Sequence, residues 1–238
     1  MLPADGELEL AGSRVRRAMG WLVMNANAQV GFDSLSEIVW VRPPADAAHR
    51  LRVLLRSVAI QLPPGTLQVA GKAHLVLADG AVDAERFADL IREGYRHWAN
   101  GDRDRARVNT HEALSLWRGL PYPELADCTA AAADIERLGR VRVDALELQQ
   151  ELILGGAVDF TTVAELRYLV GNHPDRRGLR RQLARALATM GRQVEALQVL
   201  RQASADLGDD PVTRRLTTLI AQRDPAAAGL PSIDHHTE

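Results

Sequence analysis

The residues best suited to chemistry are a set of cations that fall on one face of a helix. His49, Arg52 and Arg56 recur at spacings of three and four, with Arg50 to one side. On a helical wheel they stand opposite Leu51, Leu54, Leu55, Val58 and Leu62. A guanidinium can bridge O6 and N7 of guanine or grip a phosphate. The same pattern also describes an ordinary solvated face, and spacing alone leaves both readings open. Lys72 and His74 follow in an extended stretch, and Arg14, Arg16 and Arg17 open an earlier helix, where cations oppose the helix dipole. Each of these could meet a phosphate or plain solvent.

Other residue patterns fall short of a site. Gly65 to Ala73 has the look of a phosphate loop, but five residues separate Gly65 from Gly71 instead of four, and Ala73 stands where a magnesium-binding hydroxyl is required. His111-Glu112 is not a zinc-hydrolase motif, because Ser115 occupies the second histidine's place. Cys128 is the only cysteine, which excludes an intramolecular disulfide and a thiolate zinc cluster; in its Ala-rich stretch it reads as a small buried residue. The His235-His236 pair lies in a polar tail. No paired carboxylates and no Ser/His/Asp set have local support. The expectation is therefore no enzyme, no catalytic residue, no metal and no cofactor.

The elements that position the cations lie in residues 1–78. Glu7 to Leu10 alternates as a short strand would. Ser13 can cap a helix from Arg14 to about Ala26 with Val15, Met19, Leu22 and Val23 inward. Asp33 or Ser34 opens a second helix, with Leu35, Ile38 and Val39 inward, that closes at Trp40. Pro43-Pro44 forces the chain out of helical geometry, and a third helix, Ala45 to Leu62, ends before Pro63-Pro64. Thr66 to Leu77 reads as two extended pieces hinged at Ala70-Gly71, a hairpin. Three helices and a hairpin, in that order, make a winged helix.

The chain has 238 residues, 46% of them apolar and 25% charged, with a net charge of −2. That composition supports a folded core and excludes a uniformly basic coat. The charge is uneven: residues 1–78 carry net +2 and the remainder net −4. The N-terminus does not read as a signal peptide, and no run of apolar residues is long enough to span a membrane. A cytoplasmic protein with no membrane partner is expected.

From residue 79 the pattern is almost all helical. Segments at about 83–99, 102–118, 130–154, 159–172, 176–190, 193–207 and 211–222 carry apolar residues at helical spacing. The clearest are Leu138, Val141, Ala145, Leu148 and Leu152, and then Leu179, Leu183, Leu187 and Met190. Asn100-Gly101-Asp102 stops one helix and caps the next, Asn172 to Asp175 does the same, and Asp209 or Asp210 caps a helix that starts at Pro211. Gly101 precedes Ala106 by five residues, as Gly191 precedes Ala196; Gly156 lies 35 residues before Gly191, with Ala164 following. A helix ending in glycine, with a small residue in its successor at a period near 34, marks tetratricopeptide-like hairpins. The expected architecture is mainly α: a winged helix over 1–78, helical repeats over 79–225, and a disordered tail over 226–238.

Specific runs carry a further resemblance. Arg17-Ala18, Leu35 to Trp40 and Pro43-Pro44 stand in the first part; Val82 to Phe87, the run Glu112 to Gly119 containing Ala-Leu-x-Leu-Trp-Arg-Gly, and Gly191 to Leu197 stand in the second. Together they resemble the Streptomyces antibiotic regulatory protein family, from about residue 7 to Pro225. That family joins a winged helix of the response-regulator type to a bacterial transcriptional activator domain.

The resemblance implies a DNA-binding transcriptional activator of a secondary-metabolite or other specialised gene cluster. Such a protein binds promoter repeats, contacts RNA polymerase and pairs as a homodimer. It implies that the third helix enters the major groove and that His49, Arg50, Arg52, Arg56 and the wing residue Lys72 contact DNA. Family members carry Thr, Gln and Ser early in this helix and an Arg-Arg pair near its end. The corresponding positions here are Arg50, Arg52, Val53, Ala59 and Ile60, and the N-terminal sheet is short. Those departures frame the alternative: a winged helix that no longer holds DNA, in a protein-interaction module that modulates a partner through its repeats.

Overall fold

The computed structural model describes residues 12–233. These divide into two compact units. One comprises the described residues up to Asp89 together with Leu116–Arg140; the other comprises Leu90–Ser115 together with Val141 onward. The strand expected at Glu7 to Leu10 lies outside the described residues.

The first unit is built as the sequence pattern predicts, with one addition. Helix α1 (Ser13–Met24), strand β1 (Gln29–Gly31), helix α2 (Phe32–Val39), helix α3 (Ala47–Ala59) and strands β2 (Leu67–Val69) and β3 (Lys72–Leu75) follow in order. The strands form one antiparallel sheet in the order β1-β3-β2, with Val30 and Val69 both opposite Ala73. The strand β1 was not legible, because three residues are too few to show an alternation. Asn27 sets it in place. Its φ is 65°, a left-handed conformation that asparagine tolerates. From there its backbone N–H donates to the Leu75 carbonyl at 2.8 Å, and its side-chain oxygen accepts from the Leu77 N–H at 2.9 Å. The helix α1 begins at Ser13 itself, with Gly12 as the flanking residue and no side-chain cap.

Val15, Met19, Leu22, Leu35, Val39, Leu51, Leu55 and Val58 meet Val30, Leu67, Ala73 and Leu75 in a single core. Leu54 and Leu62 are half-buried against it, and α3 packs on α2 and β2. After α3 the chain turns at Pro63-Pro64-Gly65-Thr66, where Gly65 takes φ 88° and the Thr66 N–H returns to the Pro63 carbonyl. Proline followed by a residue at positive φ is the requirement of a tight turn of this kind.

The same unit holds a second cluster, of Ile38, Leu125, Cys128 and Ala131 under Trp21, Met24, Tyr122 and Ile135. Leu125 belongs to a short 3₁₀ turn, Pro123–Leu125. Cys128 is buried there among apolar side chains.

Helices α4 (Asp83–Ala99), α5 (Arg103–Leu116), α6 (Thr129–Leu154), α7 (Phe160–Asn172), α8 (Arg177–Thr189), α9 (Gln193–Leu207) and α10 (Pro211–Gln222) match the seven expected segments within about two residues at each end. In the second unit, α7, α8, α9 and α10 pack in succession. Gly101 and Gly191 both take positive φ at helix ends, and Ala106 and Ala196 are wholly enclosed, as close-packed hairpins require. Ala164 is exposed; Thr162 and Val163 face inward at that junction instead. Asp210 caps α10, accepting from the Val212 and Thr213 N–H groups at 3.0 Å, with Pro211 in the first helical position.

The expected disordered tail is corrected in its first part. Residues Ala226–Gly229 form a short helix, α11, and Ala227, Ser232 and Ile233 are buried. The pattern hid this because the segment is held by partners distant in sequence and has no apolar periodicity of its own. The pair His235-His236 lies outside the described residues.

A buried charge layer was also not foreseen. Arg180, Arg181 and Arg185 on α8 are enclosed, as are Glu147 and Glu151 on α6. Each arginine meets a carboxylate: Arg180 with Asp206 at 2.7 Å, Arg181 with Asp210 at 2.8 Å and Arg185 with Glu151 at 2.7 Å. Such pairs persist because both members are matched; removing one leaves an uncompensated charge.

Candidate nucleic-acid interface

The helix α3 carries four of the five cations singled out from the sequence. Its inward stripe of Leu51, Leu55 and Val58 is buried, and His49, Arg50 and Arg56 are exposed on the rest of its surface. His49, Arg52 and Arg56 thus lie along one outward line of the helix. Lys72, the fifth, is exposed at the start of β3, where it pairs in register with Gly31 of β1.

The α3 cations differ in how they are held. Arg50 reaches back one turn, and its Nε lies 2.9 Å from both carboxylate oxygens of Asp46. That hydrogen bond holds the Asp46 carboxyl below its ordinary pKa. Arg52 is half-buried, with its guanidinium carbon 4.5 Å from the centroid of the Phe32 ring. The ring attracts the guanidinium by its quadrupole, and the guanidinium carries five N–H donors. Arg56 is exposed and meets no carboxylate among the described residues. One cation is therefore chelated, one lies against a ring and one is exposed without a carboxylate partner among the described residues. The Asp46–Arg50 contact is an i, i+4 pair visible in the sequence; the Phe32 shelf comes from another helix and carries no sequence signal.

Two large apolar side chains share this helix surface with the cations. Val53 is 54% exposed and Ile60 86% exposed, and Val41 in the preceding connection is 99% exposed. His74, in the middle of β3, is half-buried, and opposes Gln29 and Gln68 in register.

The three arginines that open α1 do not act as a set. Arg14 lies 5.6 Å from the Trp40 ring centroid. Arg17 is committed within the protein. Its side chain donates to the Ile38 carbonyl, to the Glu124 carbonyl at 3.1 Å and to the Asp127 carboxylate. It thus ties α1 to the end of α2 and to the 3₁₀ turn. The Arg17 contact, a hydrogen bond first, also lowers the Asp127 pKa. A cleft of about 810 Å³ beside Arg14 and Arg16 is shared with Glu37, Glu124 and Asp127, a mixed lining that does not suit a phosphate.

Among the described residues no group of three His, Cys, Asp or Glu side chains comes together as a metal site needs. No helix among them is long and apolar enough to cross a membrane.

The second half of the chain decides the family. A family model for the bacterial transcriptional activator domain matches residues 82–221. The chain belongs to that family, and with it to the Streptomyces antibiotic regulatory proteins. The regulatory protein AfsR of Streptomyces coelicolor is 33% identical over 236 residues, which are 95% of this chain and 24% of AfsR. The transcriptional regulatory protein EmbR of Mycobacterium tuberculosis is 29% identical over 247 residues, covering 94% of this chain and 62% of EmbR. The regulatory protein DnrI of Streptomyces peucetius is 27% identical over 229 residues, covering 88% and 84%. This activator-domain protein therefore spans a quarter of AfsR and about three fifths of EmbR. A solved structure of Mycobacterium tuberculosis EmbR, in complex with a low-affinity phosphopeptide, superposes with a TM-score of 0.81 at 27% identity, covering 94% of this chain and 63% of that one. The winged helix followed by helical repeats is thus the architecture of the chain, as its sequence suggested.

Proposed function

We propose that this chain is a DNA-binding transcriptional regulator, an activator of a specialised gene cluster that works in the cytoplasm at the nucleoid. Residues 1–78 contact promoter repeats; residues 79–225 relay to RNA polymerase or to a second copy of the chain. The observation that carries this reading is the outward line His49, Arg52 and Arg56 on α3, set opposite its buried stripe in a chain of this family. Arg52, held against Phe32, is suited to a base edge, and Arg56 and Lys72, both exposed, to phosphates. No catalytic step is assigned.

The test is fluorescence anisotropy of the full chain on DNA from upstream of its own coding sequence, against scrambled DNA, over a salt series. Specific binding that weakens with salt, with a log–log slope of about 0.9 for each phosphate contacted, supports the reading. Binding that ignores sequence, or its absence, overturns it.

A second reading is favoured by one observation. Val53 and Ile60 put apolar surface on the helix that should read DNA, and Val41 adds to it. In this reading the winged helix is a protein-docking surface, and the chain modulates a partner. Substituting Val53 and Ile60 by serine separates the two, since only the second predicts loss of partner capture with DNA binding unchanged.

A further inference from the structure

Arg181 and Arg185 lie one turn apart on α8 and are almost wholly enclosed. Each keeps a carboxylate, Asp210 for the first and Glu151 for the second. Further donors go to a different kind of partner, the segment that follows α10. Arg181 Nη1 donates to the Ser232 carbonyl at 3.1 Å, Arg185 Nη1 to the Ser232 hydroxyl at 2.8 Å, and Arg185 Nη2 to the Ala228 carbonyl at 2.6 Å. One residue further, Ile233 enters an apolar cup of Ala106, Leu148 and Leu152, with Tyr95 and Trp98 packed against it. Charged donors on main-chain oxygens, with one aliphatic anchor in a cup, is how a folded domain holds an extended peptide.

Three features distinguish this arrangement from a permanent closure of the core. When the segment leaves, both arginines retain their carboxylates, so the face stays charge-balanced and folded. Around it, on α6 and α8, Arg185 Nε, Gln182 Oε1 and both amide atoms of Gln150 are buried without a hydrogen-bond partner among the described residues, more polar capacity than residues 228–233 satisfy. A cleft of about 350 Å³ lined by Arg185, Thr189, Ala227 and Ala228 opens beside the start of the segment.

We propose that this face of α8 is a peptide-binding site of the helical repeats, and that residues 228–233 occupy it in cis. Its partner is an extended peptide presenting a hydroxyl-bearing residue followed by a β-branched aliphatic one. The segment then acts as an internal competitor, and the site is open to a partner only when the segment is displaced. This site is separate from the α3 surface and does not depend on DNA binding.

The probe is a fluorescein-labelled peptide of the sequence Ala-Ala-Ala-Gly-Leu-Pro-Ser-Ile, added in trans to the full chain and to its Ser232→Ala/Ile233→Ala variant. The variant is expected to bind the peptide at least tenfold more tightly than the wild-type chain, since its own segment no longer fills the site. A peptide ending in Ala-Ala should not bind either chain. Equal binding of the two peptides, or no binding to a folded variant, overturns the proposal. Hydrogen exchange on the wild-type chain covers the case in which the variant does not fold. Amides of residues 228–233 should exchange at least tenfold faster than those at the centre of α8, as a segment that opens by itself does. Exchange at the same rate as α8 overturns the proposal.

Discussion

Arg52 lies over the ring of Phe32 across two helices, the guanidinium carbon 4.5 Å from the ring centroid. The orientation of the central cation of α3 is therefore set by a core residue of α2, which is itself 3% exposed. A side chain held in this way loses less freedom when it binds, so its contribution depends on the shelf as well as on its own charge.

The first prediction separates shelf from charge. Phe32→Leu removes part of a buried ring and should lower stability by about 1–3 kcal/mol through the cavity it leaves. Promoter affinity should fall by the loss of the stack, about 0.5–1 kcal/mol. Chemical denaturation and anisotropy on the same preparations give both numbers, and unchanged affinity would show that the stack plays no part in binding.

Arg56 makes a different prediction. Its side chain is exposed and unpaired among the described residues, so Arg56→Ala should leave the melting temperature unchanged. It should weaken binding to all sequences alike and reduce the salt slope by about 1. With Arg52→Ala added, sequence preference should go as well. If the double variant binds like the wild type, another surface reads the DNA.

Arg17 should matter for folding and not for binding. Arg17→Met removes hydrogen bonds to the Ile38 and Glu124 carbonyls and to Asp127. Leaving the part-buried Ile38 carbonyl without its donor costs about 1–3 kcal/mol, whereas the exposed Asp127 carboxylate is met by water and adds little, so the first unit should melt a few degrees lower. A variant that instead loses DNA affinity with unchanged stability would return Arg17 to the interface.

Asp210 gives the pH prediction. Burial raises its pKa, but the Thr213 hydroxyl, the Thr213 N–H and Arg181 together bring it below the ordinary carboxylate value. A depressed folded-state pKa contributes stability that is fully present above the unfolded value of about 3.9 and is lost as pH falls through the folded one. Urea midpoints between pH 7 and pH 3 should therefore fall less for Asp210→Asn than for the wild-type chain. Asp210→Ala should cost more at every pH, about 3–5 kcal/mol at neutrality, because buried Arg181 loses its carboxylate.

Elements announced by local chemistry were legible before any coordinates. Gly101, Gly191 and the Asp210-Pro211 pair mark helix ends through requirements of a single residue, and α4 to α10 fall where those marks place them. Elements that exist only by pairing were not. Strand β1 is three residues long and owes its position to Asn27 and to β3, whose paired residues lie 41 to 45 positions on. The ordered segment up to Ile233 owes its position to Arg181 and Arg185. The α3 cations could be named from periodicity, since position on a helix follows from spacing. How each is held could be read only for Arg50, whose partner is one turn away. Phe32 under Arg52, and Ile38, Glu124 and Asp127 around Arg17, are contacts between elements that periodicity does not encode.

The position of Lys72 has a practical consequence. It is the only lysine in the chain, and it stands exposed at the start of β3 beside the hairpin turn. An ε-amine-specific dye will therefore report from one defined point, the wing, without mutagenesis. Protection of that amine by bound DNA can be measured on the unaltered protein.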